Sequence, residues 1–433
     1  MFDPNAVIEN VEELETSTEQ QEEVQIEPTK SSKKEFSRTS IKDLKEFQIV
    51  SSSPSTGEYS FTLQQSYLKE ASGFVRLTSQ PKLTPNPLRF TLTSSTLSVS
   101  SFNPFSFSEY IIPVTTSYKE EKPVRFIFDL NILLKIASTF NEETIEFNLN
   151  PQKQLCTVKA GRTNLEISIY PDSEFTDFQN RIAQQKYVNA INPTALRQAI
   201  CFIYPFSAKD DLQPNFSLIE VRNGMALGGT QVSLLSMTSS KFNGYSLKLR
   251  YELLQALEKA LQYLDEGNTS LFESDTHYVI RDGNSMIGFE KTPYSFIDIS
   301  PILSAPKSTR RLVIPRDVFQ NTLQRLSVVS LDRKLPVLIT YRGLNNDATM
   351  TLVTEDQAGK QSRDTISISV RDTDTKADPK AEHSFKVTLS SLLKTVGFHD
   401  SPNIELSEIE GKALFLEDRF EGDTFLTVLS ILR

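Results

Sequence analysis

From Tyr59 onward, short apolar runs of two kinds follow one another along the chain. Runs of roughly four to seven residues, such as YSFTL and RFIFDL, alternate apolar with polar positions or are rich in β-branched side chains, which is typical of strands with one buried face. Fewer segments carry apolar residues at i, i+3, i+4 and i+7, which predicts amphipathic helices. The predicted helices cover residues 130–140, 193–204, 249–264, 315–329 and 388–398.

The order of these elements repeats along the chain. A unit of one strand, one short helix and three strands recurs, and its copies cover residues 126–178, 247–303 and 385–433. A strand–helix–strand unit precedes each copy, at residues 59–77, 188–203 and 311–329. The chain is therefore predicted to contain six half-units, which pair into three similar domains.

The repeat sets the predicted domain boundaries. They are 1–57 for a polar extension, followed by 58–182, 183–306 and 307–433 for the three domains. We expect an α+β fold in which two helices pack on antiparallel sheets in each domain. Unpaired strands at the two ends of such an array are a liability unless they pair with another copy, and head-to-tail pairing of those ends closes a ring.

Acidic residues are concentrated at the start of the chain. The formal net charge is −9, but residues 1–30 hold nine acids and one base, a local net charge of −8. The rest of the chain therefore carries only −1, so a folded part with a basic face for nucleic acid is not excluded. High charge with low hydrophobicity predicts that most of residues 1–57 is disordered.

Several classes of protein are disfavoured by what the sequence lacks. No run approaches the roughly 18 apolar residues of a transmembrane helix, and the acidic N-terminus does not look like a secretory signal. Cys156 and Cys201 lie in apolar runs, which predicts inert core thiols in a reducing cytosol. His277, His383 and His399 match no metal-ligand spacing. With no phosphate-binding glycine loop and no nucleophile motif either, we expect no metal, no cofactor and no enzymatic activity.

Several stretches follow one another in a familiar order. The first half-unit reads YSFTLQQSYLKEASGFV, and Gly161-Arg162 and Glu174-Phe175 close the first domain. The segment Asn192–Arg197 opens the second domain, and the chain ends in TFLTVLSILR. In order and spacing, residues 59–433 resemble the bacterial-type DNA sliding clamp, the beta subunit of DNA polymerase III, in a divergent form for which a phage is one candidate source.

The resemblance implies a processivity factor, which is a homodimeric ring around duplex DNA. Such a ring tethers the replicative polymerase, is served by a clamp loader and works in the cytoplasm where DNA is replicated. Sliding needs a lining that attracts phosphate without register, and lysine and arginine on the inner helices provide it. The candidate lining residues are Lys69, Arg76, Lys82, Lys135, Arg197, Lys259, Arg325 and Lys394. For each of them, an ordinary solvated surface base is the alternative interpretation.

The resemblance also implies an apolar groove between the second and third domains that receives extended peptides from partner proteins. The candidate groove residues are Thr230, Leu235, Ile299, Leu429 and Ile431. The family's Ala-Thr-Asp-Gly-His-Arg-Leu run is replaced here by residues 229–235, GTQVSLL, and its final Met-Pro-Met-Arg-Leu by LSILR. The peptide preference of the groove therefore stays open, and an ordinary core position is the alternative for each residue.

Two other hypotheses compete with the ring. The first is a clamp-like scaffold, or a transcription or assembly factor, that does not encircle DNA. The second is a β-rich viral structural protein without a role on DNA. A mass in solution near twice that of the chain favours the ring, whereas a stable monomer favours the scaffold.

Overall fold

The fold is seen in a computed structural model. It describes residues 58–79, 86–172, 185–209, 213–305, 310–329, 335–355, 359–372, 378, 380–399, 401–409 and 412–432. The predicted extension, residues 1–57, lies outside the described residues. Among the described residues, no helix is both long enough and apolar enough to cross a membrane.

The first domain contains two helices and ten strands among its described residues. Its elements are β1 (Tyr59–Gln64), α1 (Gln65–Val75), β2 (Pro87–Leu92), β3 (Thr96–Phe102), β4 (Ser106–Pro113), β5 (Thr115–Thr116), β6 (Val124–Asp129), α2 (Leu130–Thr139), β7 (Thr144–Asn150), β8 (Leu155–Ala160), β9 (Thr163–Ser168) and β10 (Tyr170–Pro171). A single 3-10 turn, Arg76–Thr78, directly follows α1.

The second domain repeats the arrangement. Its elements are β11 (Lys186–Ala190), α3 (Pro193–Ile203), β12 (Leu218–Arg222), β13 (Met225–Gly229), β14 (Ser233–Thr238), β15 (Leu247–Arg250), α4 (Tyr251–Ala260), β16 (Ser270–Glu273), β17 (His277–Arg281), β18 (Ser285–Glu290) and the short α5 (Ser300–Leu303). The 3-10 turns Tyr204–Phe206 and Ser240–Phe242 follow α3 and β14.

The third domain has the longest strands. Its elements are β19 (Arg310–Pro315), α6 (Arg316–Val329), β20 (Pro336–Arg342), β21 (Asn345–Glu355), β22 (Gln361–Asp372), β23 (His383–Thr388), α7 (Leu389–Phe398), β24 (Asn403–Ile409), β25 (Ala413–Phe420) and β26 (Asp423–Ser430). Four of the predicted helices agree with the structure to within about two residues. The fifth was predicted over 249–264, but α4 covers Tyr251–Ala260: Leu249 and Arg250 pair with β12 as the end of β15, and residues 261–263 form a turn.

Local sequence explains where two of the helices begin. The Asp129 side chain accepts a hydrogen bond from the Asn131 backbone N–H at 2.8 Å, which caps α2. The Asn192 side chain accepts one from the Ala195 N–H at 2.8 Å, and Pro193 supplies the first residue of α3. Both caps satisfy N–H groups that a helix leaves without partners in its first turn.

Three antiparallel sheets organise the described strands. A five-stranded sheet has the order β5-β1-β7-β8-β9, and a nine-stranded sheet has the order β10-β6-β2-β3-β4-β18-β17-β16-β11. A twelve-stranded sheet has the order β15-β12-β13-β14-β26-β25-β24-β19-β22-β21-β20-β23. The pairs β4·β18 and β14·β26 carry the sheets across both predicted domain boundaries.

The helices pack in pairs against the sheets. The pairs are α1 with α2, α3 with α4, and α6 with α7. Leu133, Leu253 and Leu392, which hold comparable places in the sequence repeat, lie on α2, α4 and α7 and are all buried. One apolar core serves the first two domains and a second core serves the third.

Candidate nucleic-acid interface and partner groove

The predicted lining bases lie on the helices and at their ends. Among the described residues they are all exposed, and they are Lys69 on α1, Arg76 just after α1, Lys135 on α2, Arg197 on α3, Lys259 on α4, Arg325 on α6 and Lys394 on α7. Lys82 lies outside the described residues. The placement follows from amphipathicity: α4 buries Leu253, Leu254 and Leu257 and thereby turns Lys259 to the opposite side.

Three of these bases are held by other protein groups. The Arg197 Nε lies 2.7 Å from Glu258 Oε1 on the neighbouring helix, and the Arg325 Nε donates to Asp364 Oδ2 at 3.0 Å. The Lys394 Nζ donates to the Pro205 carbonyl oxygen at 3.4 Å. Within the described part of the chain, Lys69, Arg76, Lys135 and Lys259 form no ion pair, so the bases differ in how available they are to a ligand.

The groove residues do not share one surface. Leu235 is fully buried in the core beneath the helices of the first two domains, and Leu429 is buried in that of the third. Ile431 packs against the third-domain core, and Thr230 lies half-buried in the turn between β13 and β14. Ile299 belongs to a separate apolar cluster on the sheet face opposite the paired helices, against which the short α5 packs.

That separate cluster spans the junction of the second and third domains. Leu234 on β14 pairs in register with Val428 on β26, and both side chains belong to it. The other buried members are Leu218, Leu227, Phe296, Ile299 and Phe415. The family resemblance points to Leu235, which matches the final leucine of the family's run, and the apolar run SLLSM carries no alternation that would identify Leu234 instead.

The chain segment after β18 is fastened over this cluster. The Phe296 N–H donates to the buried Glu220 carboxylate at 2.7 Å, and Arg222 donates to the Ile297 carbonyl at 3.3 Å. The Lys248 ammonium reaches the Ser295 hydroxyl at 2.7 Å. These contacts satisfy the buried carboxylate and position Phe296 and Ile299 against the sheet.

A buried histidine–aspartate pair lies at the same junction. The His399 Nδ1 is 3.1 Å from Asp418 Oδ2, and the His399 ring packs near Phe202 of the second domain. Burial raises the pKa of Asp418, but hydrogen bonds from His399 and Ser401 outweigh that effect and hold the pKa at about 2. Within the described residues, no group of three or more His, Cys, Asp or Glu side chains is placed to hold a metal ion.

One sequence prediction about the thiols was wrong. Cys156 is buried as expected, and burial raises its pKa to about 12. Cys201, however, is exposed, because α3 buries Ala199, Ile200 and Phe202 and leaves position 201 on the outer side of the helix. Its apolar neighbours in sequence occupy other faces of the helix.

The fold is similar to those of several solved structures. No protein-family model and no curated protein matches the chain. Its structure is similar to the beta sliding clamp of Caulobacter crescentus, with 13% identity and a TM-score of 0.72 over 88% of this chain and 100% of the other. It is also similar to the DNA polymerase sliding clamp of Bacillus subtilis (13% identity, TM-score 0.72, 87% and 100%). The beta subunit from DNA polymerase of Streptococcus pyogenes matches in the same way (11% identity, TM-score 0.73, 86% and 100%).

The chain has the sliding-clamp fold. The predicted α+β architecture of three similar domains, with helices paired on antiparallel sheets, is confirmed. Within the sliding-clamp fold, the exposed bases lie on the helix layer, and the apolar cluster around Phe296 lies on the opposite side of the sheet.

Proposed function

We propose that this chain is a DNA sliding clamp, which encircles duplex DNA as a head-to-tail homodimer and tethers the replicative polymerase. Its three domains would be residues 58–182, 183–306 and 307–433, and a clamp loader would place it on DNA. The proposal includes no chemical step and no cofactor. It rests above all on how the domains of one chain join, because that geometry leaves two complementary strand edges open.

The first junction shows the pattern. Strand β4 pairs with β18 of the second domain through residues Ser106–Tyr110, while its continuation, β5, pairs with β1 of its own domain. The continuous stretch β4–β5 at the end of the first half-unit therefore pairs with a strand of the next domain and with a strand of its own domain. At the second junction, β14 of the second domain pairs with β26 of the third in the corresponding way.

The remaining copies of these two strands have open edges. The last four residues of β22, Ser369–Asp372, pair with β19, as β5 pairs with β1. Among the described strands, residues 361–368 of β22 pair only with β21, and β9 pairs only with β8. In the repeat, β22 corresponds to β4 and β14, and β9 corresponds to β18 and β26. The open edge of β22 therefore fits β9 of a second copy.

Helix ends support the same pairing. Phe74 at the end of α1 packs on Tyr263 just beyond α4, with ring centroids 5.5 Å apart. Phe202 near the end of α3 packs on Phe398 at the end of α7, with centroids 4.7 Å apart. The corresponding end of α6 carries Val328, which is 79% exposed. An exposed apolar side chain at this place fits the end of α2 in a partner copy.

The helix layer would then face DNA. Lysine and arginine bind phosphates without reading sequence, which allows a closed ring to slide while its topology prevents escape. The proposed lining comprises Lys69, Arg76, Lys82, Lys135, Arg197, Lys259, Arg325 and Lys394. The proposed partner groove lies at the junction of the second and third domains, beside the partly exposed Thr230 and Ile431, and would take an extended peptide. Leu235, Ile299 and Leu429 are buried and would support it from beneath.

Encirclement is tested by topology. The full chain is incubated with nicked circular duplex DNA, the complex is isolated by gel filtration, and half of it is linearised with a restriction enzyme. A clamp stays on the circles and slides off the linear ends. Equal retention on both forms would refute encirclement, and with a stable monomer in solution it would favour the clamp-like scaffold.

A further inference from the structure

Three lining bases lie on elements that pack together at the junction of the first and second domains, where the Tyr263 hydroxyl also lies. Lys69, Gly73 and Arg76 follow one another at i, i+4 and i+7, so they lie in a single row along α1 and its end. The Tyr263 hydroxyl oxygen stands above the middle of this row, 2.7 Å from the position that a Cβ on Gly73 would occupy.

Lys259 lies on the second-domain helix that packs against the turn holding Arg76. It lies in the last turn of α4, four residues before Tyr263, and so precedes the tyrosine by about one helical turn. The Tyr263 ring is fixed against Phe74, with centroids 5.5 Å apart, and it remains 37% exposed. Lys69, Arg76, Lys259 and the Tyr263 hydroxyl are called the Tyr263 cluster below.

Two nearby carboxylates, Glu258 and Glu70, have other partners. Glu258, which precedes Lys259, accepts hydrogen bonds from Arg197 at 2.7 Å and from Gln262 at 3.0 Å. Glu70 lies beside the Tyr110 hydroxyl, whose pKa is raised by burial and by this carboxylate. Within the described residues, no acid forms an ion pair with a base of the cluster. The cluster therefore keeps its positive charge for an external anion.

The junction of the second and third domains is different. There the base is Lys394, and it donates to the Pro205 carbonyl and lies over the Phe206 ring, 5.8 Å from its centroid. Arg197 and Arg325 are bound to Glu258 and Asp364. A base beside a carboxylate attracts a phosphate less, because the carboxylate offsets its charge.

We propose that the Tyr263 cluster is the principal phosphate-binding site for the DNA backbone, and that Arg197, Arg325 and Lys394 contribute mainly to contacts within the protein. The inference rests on the proposed clamp function. It adds that the duplex is held mainly where the first and second domains meet. Three cations on packed elements, with one hydroxyl donor beside them, form a surface that can bind a phosphodiester.

Two variants with the same change in charge test this. The cluster variant carries Lys69→Gln, Arg76→Gln and Lys259→Gln, and the control carries Arg197→Gln, Arg325→Gln and Lys394→Gln. Binding of a fluorescent DNA duplex is followed by anisotropy from 50 to 200 mM salt. Each lost phosphate contact lowers the slope of log K against log salt by about 0.9. We expect the slope to fall by about 2 to 3 in the cluster variant and by less than about 1 in the control.

Equal losses in the two variants, or a larger loss in the control, would overturn the inference. The thermal transitions of both variants are recorded, and a variant that does not fold is replaced by its three single substitutions. An unmodified protein that shows no salt-dependent affinity for duplex DNA would instead refute the proposed function. The two failures are therefore distinguishable.

Discussion

Gly288 on β18 pairs in register with Phe107 on β4, and the Phe107 ring occupies the space where a side chain on Gly288 would lie. A Cβ at position 288 would stand 2.1 Å from the nearest ring atom, well inside contact distance. The pair joins the first domain to the second. Because the ring fills this space, position 288 needs glycine, although its backbone conformation would allow any residue.

Gly288→Ala should therefore destabilise the junction of the first two domains. Because the buried Phe107 ring must shift, we expect a loss of about 1–3 kcal/mol in the free energy of unfolding. Denaturant unfolding measures it. The matched control is Gly283→Ala, since a Cβ at Gly283 meets no atom within 4 Å. If both substitutions have the same effect, the packing explanation is wrong.

Val328→Asp should prevent dimerisation of the proposed clamp. It places a charge at the exposed apolar end of α6, next to the open edge of β22, where burial against a second copy would be costly. Sedimentation equilibrium should change from twice the chain mass of 48.9 kDa to the chain mass itself. Val318→Asp, on the same helix at a side chain that is 45% exposed, should leave the dimer intact. If the Val328→Asp protein is still a dimer, this end of α6 does not lie in the interface.

Asp418→Asn should destabilise the protein in a pH-dependent way. The pKa of Asp418 in the folded state, about 2, lies below its ordinary value of 3.8, so the ionised carboxylate stabilises the fold above about pH 4. This contribution is lost as the pH falls through about 2. We therefore expect a cost of about 2 kcal/mol near neutral pH that shrinks between pH 4 and pH 2.

Denaturant unfolding at several pH values measures the Asp418 effect. The exposed Asp347 provides a matched control, and Asp347→Asn should change stability little at any pH. A cost for Asp418→Asn that is constant from pH 7 to pH 2 would contradict an ionised, hydrogen-bonded Asp418.

Glu220→Ala should release the segment that covers the apolar cluster at the second junction. The Phe296 N–H would lose its carboxylate acceptor, and its amide should exchange with solvent faster by hydrogen–deuterium exchange. Glu220→Gln keeps a carbonyl acceptor of similar shape and should retain most of the protection. If the two substitutions accelerate exchange equally, the hydrogen bond does not fasten this segment.

The sequence anticipates much of the local structure and less of the site. Helix positions such as Leu133, Leu253 and Leu392 follow from apolar spacing, because a helix buries one face whatever lies beneath it. The choice between Leu234 and Leu235 does not follow, because both are apolar and only pairing with β26 assigns Leu234 to the face of Val428. Cys201 was misassigned for a related reason, since an apolar run does not show which residue of a helix points outward.

By itself, the sequence determined the elements, their threefold repetition and the placement of most of the net charge in residues 1–30, because each of these is a property of neighbouring residues. Tertiary structure decided which bases are already paired, which strand edges are open and which residues meet across domain junctions. Arg197 and Glu258, or Gly73 and Tyr263, are far apart in the chain. Their relations depend on how the helices and sheets pack, and no local pattern encodes that packing.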